Sequence, residues 1–267
     1  MSVSEERPGP GGVRYGREGH VATLTIDRPG RRNAMTFATL AELRDGVLRA
    51  RSDEDVRVLV ITGAGEKAFS AGADLGGVRG EETDAEAAYE GRGHLAELFT
   101  AMWSSGLPTI AKVRGYALAG GFGLAMACDI VIAADDAVFG TPEVAVGLWP
   151  YMITVPLLRS MPPKVALELM MSGRRVDAAE ARRIGFVNDV VPADRLDGAV
   201  AEVAAGIARQ SPSAIRLGRS TFYRVLGAGV EQQLALLQSM LSVATSTGDA
   251  REGVDAFAEK RPPVWGS

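Results

Sequence analysis

From Gly115 the sequence reads GYALAGGFGLAMACDI. Glycines and alanines crowd the start of a segment whose composition permits a short helix, and from Ala117 to Ala127 no side chain can act as acid, base or nucleophile. Residues this small are needed where backbone must approach backbone, because a Cβ would stand in the way. Two readings follow: a tightly packed turn, or a place where the backbone amides do the chemistry. The amides of Gly120 and Gly121 would lie at the helix N-terminus, where N–H groups lack carbonyl partners and the dipole favours negative charge. A second glycine-rich turn, FSAGADL from Phe69 to Leu75, also follows a strand. If the amide of Ala71 points to the same spot as that of Gly120, two donors converge on one oxygen. Removing one donor from such a hole typically costs about 2.7 to 4 kcal/mol of transition-state stabilisation.

The rest of the chain supplies a scaffold for these turns. HVATLTIDRP reads as a strand ending at proline, and Thr36 then caps a helix with Leu40, Leu43 and Val47 at helical spacing. VRVLVITG, from Val56 to Gly63, is a strand buried on both faces. A glycine-rich and acidic stretch follows as a functional loop, then a helix from Glu86 to Met102, the strand PTIAKVRG, and a strand with a short extended piece in DIVIAADDAVFG. From Pro163 the pattern is helical, with Leu196, Val200, Val203 and Ile207 on one face and further helices over Ser213 to Arg224 and Val230 to Thr247. This order predicts an α/β fold followed by an all-helical region.

Composition narrows the function. The 267 residues carry a net charge of -4, which gives no general attraction to nucleic acid. Cys128 is the single cysteine, so no intrachain disulfide forms, and no Cys/His cluster offers metal-ligand spacing. The opening MSVSEERPGPGG lacks an apolar signal core, and no segment reaches the ~18 apolar residues of a membrane span. The expectation is a cytoplasmic protein with a flexible tail over residues 1–14 and no membrane or nucleic-acid partner.

Gly63, Gly65 and Ala68 after a buried strand fit the G-x-G-x-x-G/A pattern of nicotinamide dinucleotide binding. The fingerprint needs the third small residue to open a continuous helix, and Gly72, Gly76 and Gly77 follow too soon for that. In FGTPEVAVGLWP, Glu143 sits among Phe139, Val144, Val146 and Leu148, a setting that disfavours its charge and moves its pKa toward useful acid/base values. The plain alternative is a first-turn glutamate after an N1 proline, with Thr141 as cap. His20 and His94 have no motif around them, and Cys128 reads as a small buried hydrophobe.

In order along the chain, DRPGRRNAM, FSAGADL, GYALAGGFGLAMACDI, FGTPEVAVGL and ALELMMSGRRVDAAEARRIGFVNDVV resemble the crotonase family, the enoyl-CoA hydratase/isomerase superfamily. The resemblance runs from about Tyr15 to FAEKRPPVW near the C-terminus. It implies a spiral of ββα turns over residues 15–200, a helical region over 201–267 that forms trimers or hexamers, and a role in acyl-CoA and fatty acid metabolism. It implies an oxyanion hole formed by the amides of Ala71 and Gly120, with Glu143 as general acid/base. Arg32, Ala34, Ala73, Asp74 and Leu75 would border the coenzyme A, with Phe257 and Lys260 reaching it from a neighbouring subunit. No metal or redox cofactor is implied, since coenzyme A enters as part of the thioester substrate.

One departure matters. Hydratases of the family carry two glutamates, and the first falls at Gly123, which can neither hold nor transfer a proton. A double-bond isomerase needs one base, a hydratase for an unusual acyl group can work with one, and a loop carboxylate such as Glu81 or Glu82 is a third route. GLWPYMIT stands where the family has glycines, so Trp149, Tyr151 and Met152 are expected to reshape the acyl pocket, the alternatives being that they fill core space or pack at a trimer contact. The expected function is hydration or double-bond migration of an enoyl-CoA through a stabilised enolate. The alternatives are a catalytically silent acyl-CoA-binding homologue and, more distantly, a nicotinamide-dependent oxidoreductase.

Overall fold

The computed structural model describes residues 4–74 and 85–266. Two antiparallel hairpin-linked strands, β2 (Val13–Glu18) and β3 (Val21–Ile26), follow the short β1 (Ser4–Glu5) and lead to α1 (Phe37–Ser52). The repeating part then begins: β4 (Val58–Gly63), β5 (Ala68–Ser70) and α2 (Ala85–Ser104), then β6 (Thr109–Val113), β7 (Tyr116–Leu118) and α3 (Gly120–Ala127), then β8 (Ile130–Ala134) and β9 (Val138–Gly140). In each turn one strand joins a large sheet, ordered β1-β2-β3-β4-β6-β8, and the next joins a small sheet, ordered β9-β7-β5. From β3 onward the large-sheet neighbours are parallel, as are β5, β7 and β9. This is the spiral of ββα turns expected for the fold.

The chain continues through a 3₁₀ turn at Pro142–Val146 into α4 (Thr154–Ser160), α5 (Pro163–Ser172), β10 (Arg175–Asp177), α6 (Ala178–Ile184) and β11 (Asp189–Val191). β10 and β11 extend the small and large sheets respectively. The end is helical, with α7 (Leu196–Ala208), α8 (Pro212–Val225), α9 (Val230–Thr245) and α10 (Gly248–Glu259).

Strand β4 is apolar throughout because both of its faces are covered. Leu59 and Ile61 turn into the main core with Leu24, Met102 and Phe122, while Val58 and Val60 pack with Ile110 and Ile132 beneath Leu196, Val200 and Ala204 of α7. Successive side chains alternate faces, so a sheet covered on both sides selects apolar residues at every position. Helix α1 starts where the sequence places it: the Thr39 amide donates to Thr36 Oγ1, and the Thr36 amide donates to Thr39 Oγ1, both at 3.2 Å.

Two expectations are corrected. The flexible tail is tied down from Ser4 on: β1 pairs with β2, and the amides of Gly11 and Val13 donate to the Glu42 carboxylate at 2.7 and 3.0 Å. A boundary at residue 200 would cut α7, which belongs to the core because it covers the large sheet. In line with the early glycines, Ala68 opens strand β5 and not a helix, so the dinucleotide fingerprint lacks its defining element.

Helix α8 is fastened to the core by Asp129, just beyond α3. Its carboxylate accepts from the Thr109 amide at 2.6 Å, the Thr109 hydroxyl at 2.8 Å, Arg219 Nε at 2.7 Å and the Tyr223 hydroxyl at 2.6 Å. Arg219 is only 8% exposed, so Asp129→Ala leaves a buried cation without its counter-ion. The expected loss is about 3 kcal/mol or more of unfolding free energy, measured by urea denaturation. A loss under about 1 kcal/mol would show that α8 is held by its other contacts.

Candidate functional site

Because β5, β7 and β9 are parallel, the segments that leave Ser70, Leu118 and Gly140 emerge along one edge of the small sheet. Ligands of parallel sheets gather at such carboxyl ends. The register sets Leu118 beside Gly140, and the Ala119 amide extends the pairing by donating to the Gly140 carbonyl at 2.9 Å. Gly120 is therefore one residue, and Glu143 three residues, beyond a shared rung.

A buried network fixes the FSAGAD turn. Asn33, fully buried, donates from Nδ2 to the Ala68 carbonyl at 2.7 Å and to the Ala64 carbonyl at 3.0 Å, and its Oδ1 accepts from the Arg28 amide. The Ser70 hydroxyl donates to the Asn33 carbonyl at 2.8 Å and accepts from the Gly72 amide at 3.2 Å. Asp74 lies between Arg28 and Arg31, with N···O distances of 3.0 and 3.1 Å. A φ of +95° and the nearness of Ala119 make Gly72 obligatory: a Cβ there would meet Ala119 Cβ at 2.6 Å.

This network shows which amide is open, and it is not that of Ala71. The Ala71 N–H donates to the Arg32 carbonyl at 3.0 Å, which corrects its expected role as an oxyanion donor. Two residues on, Ala73 forms a parallel bridge with Met35, in which the Met35 amide donates to Gly72 O at 2.8 Å and the Asp74 amide donates to Met35 O at 2.9 Å. In a parallel bridge the residue flanked in this way turns its own N–H and C=O to the opposite side. The Ala73 amide consequently faces away from Met35 and takes no hydrogen bond among the described residues. A Cβ built on Gly120 would stand 3.9 Å from the Ala73 nitrogen, so the first turn of α3 lies against this open amide. The Gly120 amide is itself one of the helix-terminal donors without a carbonyl one turn back. The amides of Ala73 and Gly120 are thus two open donors on neighbouring segments.

Ala119, between β7 and α3, has φ 51° and ψ −128°, a conformation suited to glycine. Strain of this kind costs on the order of 1 to 3 kcal/mol and persists where the surroundings hold it. Here the bond to Gly140 and the contact with Gly72 hold it and aim α3 at the Ala73 loop.

Glu143 lies in the first turn of the 3₁₀ helix behind Pro142. Thr141 does not cap that turn, because its hydroxyl donates to the Leu169 carbonyl at 2.9 Å. Burial pushes the Glu143 carboxyl above the usual carboxylate range, with its own backbone amide working partly against the rise. Its Oε2 is buried without a hydrogen-bond partner. A half-buried carboxyl with an unmatched oxygen is suited to take up and release a proton.

The structure places the other expected residues unevenly. Arg32 is exposed, and its carbonyl holds Ala71, while Ala34 is buried and its carbonyl accepts from Arg28. Leu75, Glu81 and Glu82 lie outside the described residues. Phe257 is 87% exposed on α10 and borders a cavity of about 540 Å³ with Leu217, Val254 and Trp265; Lys260 follows as the helix cap. Neither residue belongs to the loops around Gly120. Trp149 packs on the main core, whereas Tyr151 is 74% exposed and Met152 is also exposed. Ile153 of that run, which the sequence reading passes over, turns inward: a Cβ on Gly123 would meet its Cγ2 at 2.2 Å. His20 sits against the Asp55 carbonyl at the far end of β3, and His94 lies near Glu97 and Phe37 on α2. No group of His, Cys, Asp and Glu among the described residues is arranged to hold a metal, and no helix among them is long and apolar enough to cross a membrane.

Comparison with known proteins bears on this geometry. The enoyl-CoA hydratase/isomerase family matches residues 16–267. A putative enoyl-CoA hydratase of Thermus thermophilus is 37% identical over 247 residues, 92% of this chain and 97% of that protein. A carnitinyl-CoA dehydratase of Escherichia coli O157:H7 is 40% identical over 256 residues, 93% and 96% of the two chains. The crystal structure of human enoyl coenzyme A hydratase domain-containing protein 3 superposes with a TM-score of 0.91 at 31% identity, covering 95% of this chain and all of that one.

Asn33 is the hinge of the turn, and Asn33→Ala leaves two carbonyls without their donor and puts alanine at a φ of 55°. The expected cost is about 2 kcal/mol or more in chemical denaturation. An unchanged midpoint would mean that the loops hold their places without it.

Proposed function

The chain belongs to the enoyl-CoA hydratase/isomerase family, the crotonase superfamily, and from that premise we propose that it is an acyl-CoA lyase or isomerase working through a backbone-stabilised enolate. The observation that carries this reading is the open Ala73 amide lying against the first turn of α3. A thioester carbonyl seated between the Ala73 and Gly120 amides gains two donors that strengthen as charge moves onto its oxygen.

Glu143 then does the proton work. As carboxylate it takes a proton from C2 of a 3-enoyl thioester, and the electron pair moves to the thioester oxygen. Returning that proton to C4 shifts the double bond to C2–C3 and regenerates the carboxylate. The names of the relatives, a hydratase and a dehydratase, favour a second reading in which water adds across a C2–C3 double bond. Both use the same oxygen site and the same glutamate. Arg32, Ala34 and Asp74 would border the coenzyme A.

The reading extends to assembly as a trimer or as a hexamer of two trimers. No residue of α9 is buried, and Val230, Leu234, Leu237 and Leu241 form an exposed stripe at helical spacing. Phe257 on the adjacent α10 and Lys260 at its C-terminal cap would reach the coenzyme A of a neighbouring subunit.

The test of the mechanism is Glu143→Gln assayed with 2-enoyl-CoA and 3-enoyl-CoA thioesters. Turnover should fall by about 10² to 10⁴. Because the carboxylate is the working base and burial raises its pKa, kcat/KM should fall with acidity from a pH above the ordinary value of 4.5, and the variant should lose that limb. Undiminished turnover in the variant overturns the role of Glu143. No turnover by the wild type, with coenzyme A binding retained, would point to the silent homologue. For the assembly, Leu237→Asp with Leu241→Asp should yield monomers in light scattering, and an unchanged mass would exclude α9 from the interface.

A further inference from the structure

We propose that Ile153 decides whether the Glu143 site returns its proton to carbon or adds water, and this rests on the function proposed above. Gly123 lies three residues after Gly120 on α3, so it shares the helix face of the oxyanion amide. A proton-carrying side chain on this turn of α3 would start from Gly123, and the space is taken. A Cβ there would stand 2.2 Å from Ile153 Cγ2, 2.6 Å from its Cβ and 3.4 Å from its Cα, which is overlap with the base of a side chain and not with a flexible tip.

Ile153 is not free to move aside. It is 3% exposed and stands at the cap of α4, where the Leu157 amide donates to its carbonyl at 3.1 Å. The next residue is pinned as well: Thr154 donates from its amide and its hydroxyl to the Pro150 carbonyl, at 3.1 and 2.8 Å. Its β-branched side chain has few rotamers at a helix end. What faces the first turn of α3 is therefore hydrocarbon anchored on two sides.

Water addition needs a water held by two or more polar groups, deprotonated as its oxygen attacks C3 while C2 receives a proton. Beside Gly123 the structure offers methyl groups. Proton return needs only Glu143, which takes the proton from C2 and delivers it to C4, so that nothing enters or leaves the substrate. Ile153 is thus a specificity-determining residue, acting by occupying the place of a water-holding group.

The experiment follows the ratio of 3-hydroxyacyl-CoA to double-bond-shifted product from a 3-enoyl-CoA, for the wild type, Ile153→Ser, Gly123→Glu and the double variant Gly123→Glu with Ile153→Gly. Serine at 153 makes room beside Gly123 and brings a hydroxyl that can hold a water together with Glu143. The ratio is internal to each enzyme, so a change in folded fraction does not alter it and a merely structural role for Ile153 leaves it unmoved. The wild type should favour the shifted product, Ile153→Ser should move the ratio at least tenfold toward the hydroxyl product, and the double variant at least a hundredfold. Gly123→Glu alone should melt well below the wild type, and the double variant should melt well above Gly123→Glu. Preferential hydration by the wild type, or an unchanged ratio in Ile153→Ser, overturns the proposal, and Ile153→Ser decides it if the double variant does not fold. If Glu143→Gln abolishes turnover while Ile153→Ser keeps the wild-type ratio, only the role of Ile153 falls. If neither 2-enoyl-CoA nor 3-enoyl-CoA is converted, the functional reading falls with it.

Discussion

The Ala119 amide donates to the Gly140 carbonyl at 2.9 Å, and the arrangement of the site hangs from that bond. It is the last rung between β7 and β9, made by a residue whose backbone has already left the strand for an unfavourable conformation. Parallel pairing delivers β5, β7 and β9 to one edge with their carboxyl ends in step. This rung turns that shared edge into a geometry: α3 begins at a fixed angle, its first amide beside Ala73, and the turn bearing Glu143 starts from the same partner strand. The larger sheet, buried on both faces, supplies the rigidity that lets a strained residue persist.

Much of this was legible in the sequence. Apolar residues at every position of β4 announce a strand covered on two sides, Thr36 marks the start of α1, and the glycines mark places where chains touch. What the sequence could not specify was which amide of FSAGAD stays open. That depends on a bridge to Met35, some forty residues earlier, and on the Arg32 carbonyl that takes up Ala71. Hydrogen-bond commitments among amides leave no trace in residue type, so the sequence points to Ala71, whose amide is taken up, and passes over Ala73, whose amide is open.

The same limit explains Ile153 and the N-terminal segment. Gly123 reads as an absence, and only the packing shows that another side chain has moved into the space. The opening residues are polar and rich in glycine and proline, a composition that suggests a loose tail. Yet one carboxylate, Glu42 on α1, accepts from two of their amides and draws the segment into the sheet. In both places a partner distant in the chain decides the outcome, and local composition carries no sign of it.

The interlock of Gly123 with Ile153 also bears on how such a chain can change over generations. The two positions are thirty residues apart in sequence but form one steric unit, so they are not free to vary independently. Any side chain at 123 is excluded until 153 has become small, whereas a small residue at 153 leaves only a gap. Substitutions there have a permitted order, with 153 first, and a chain with the notch filled has no direct route to a carboxylate at 123.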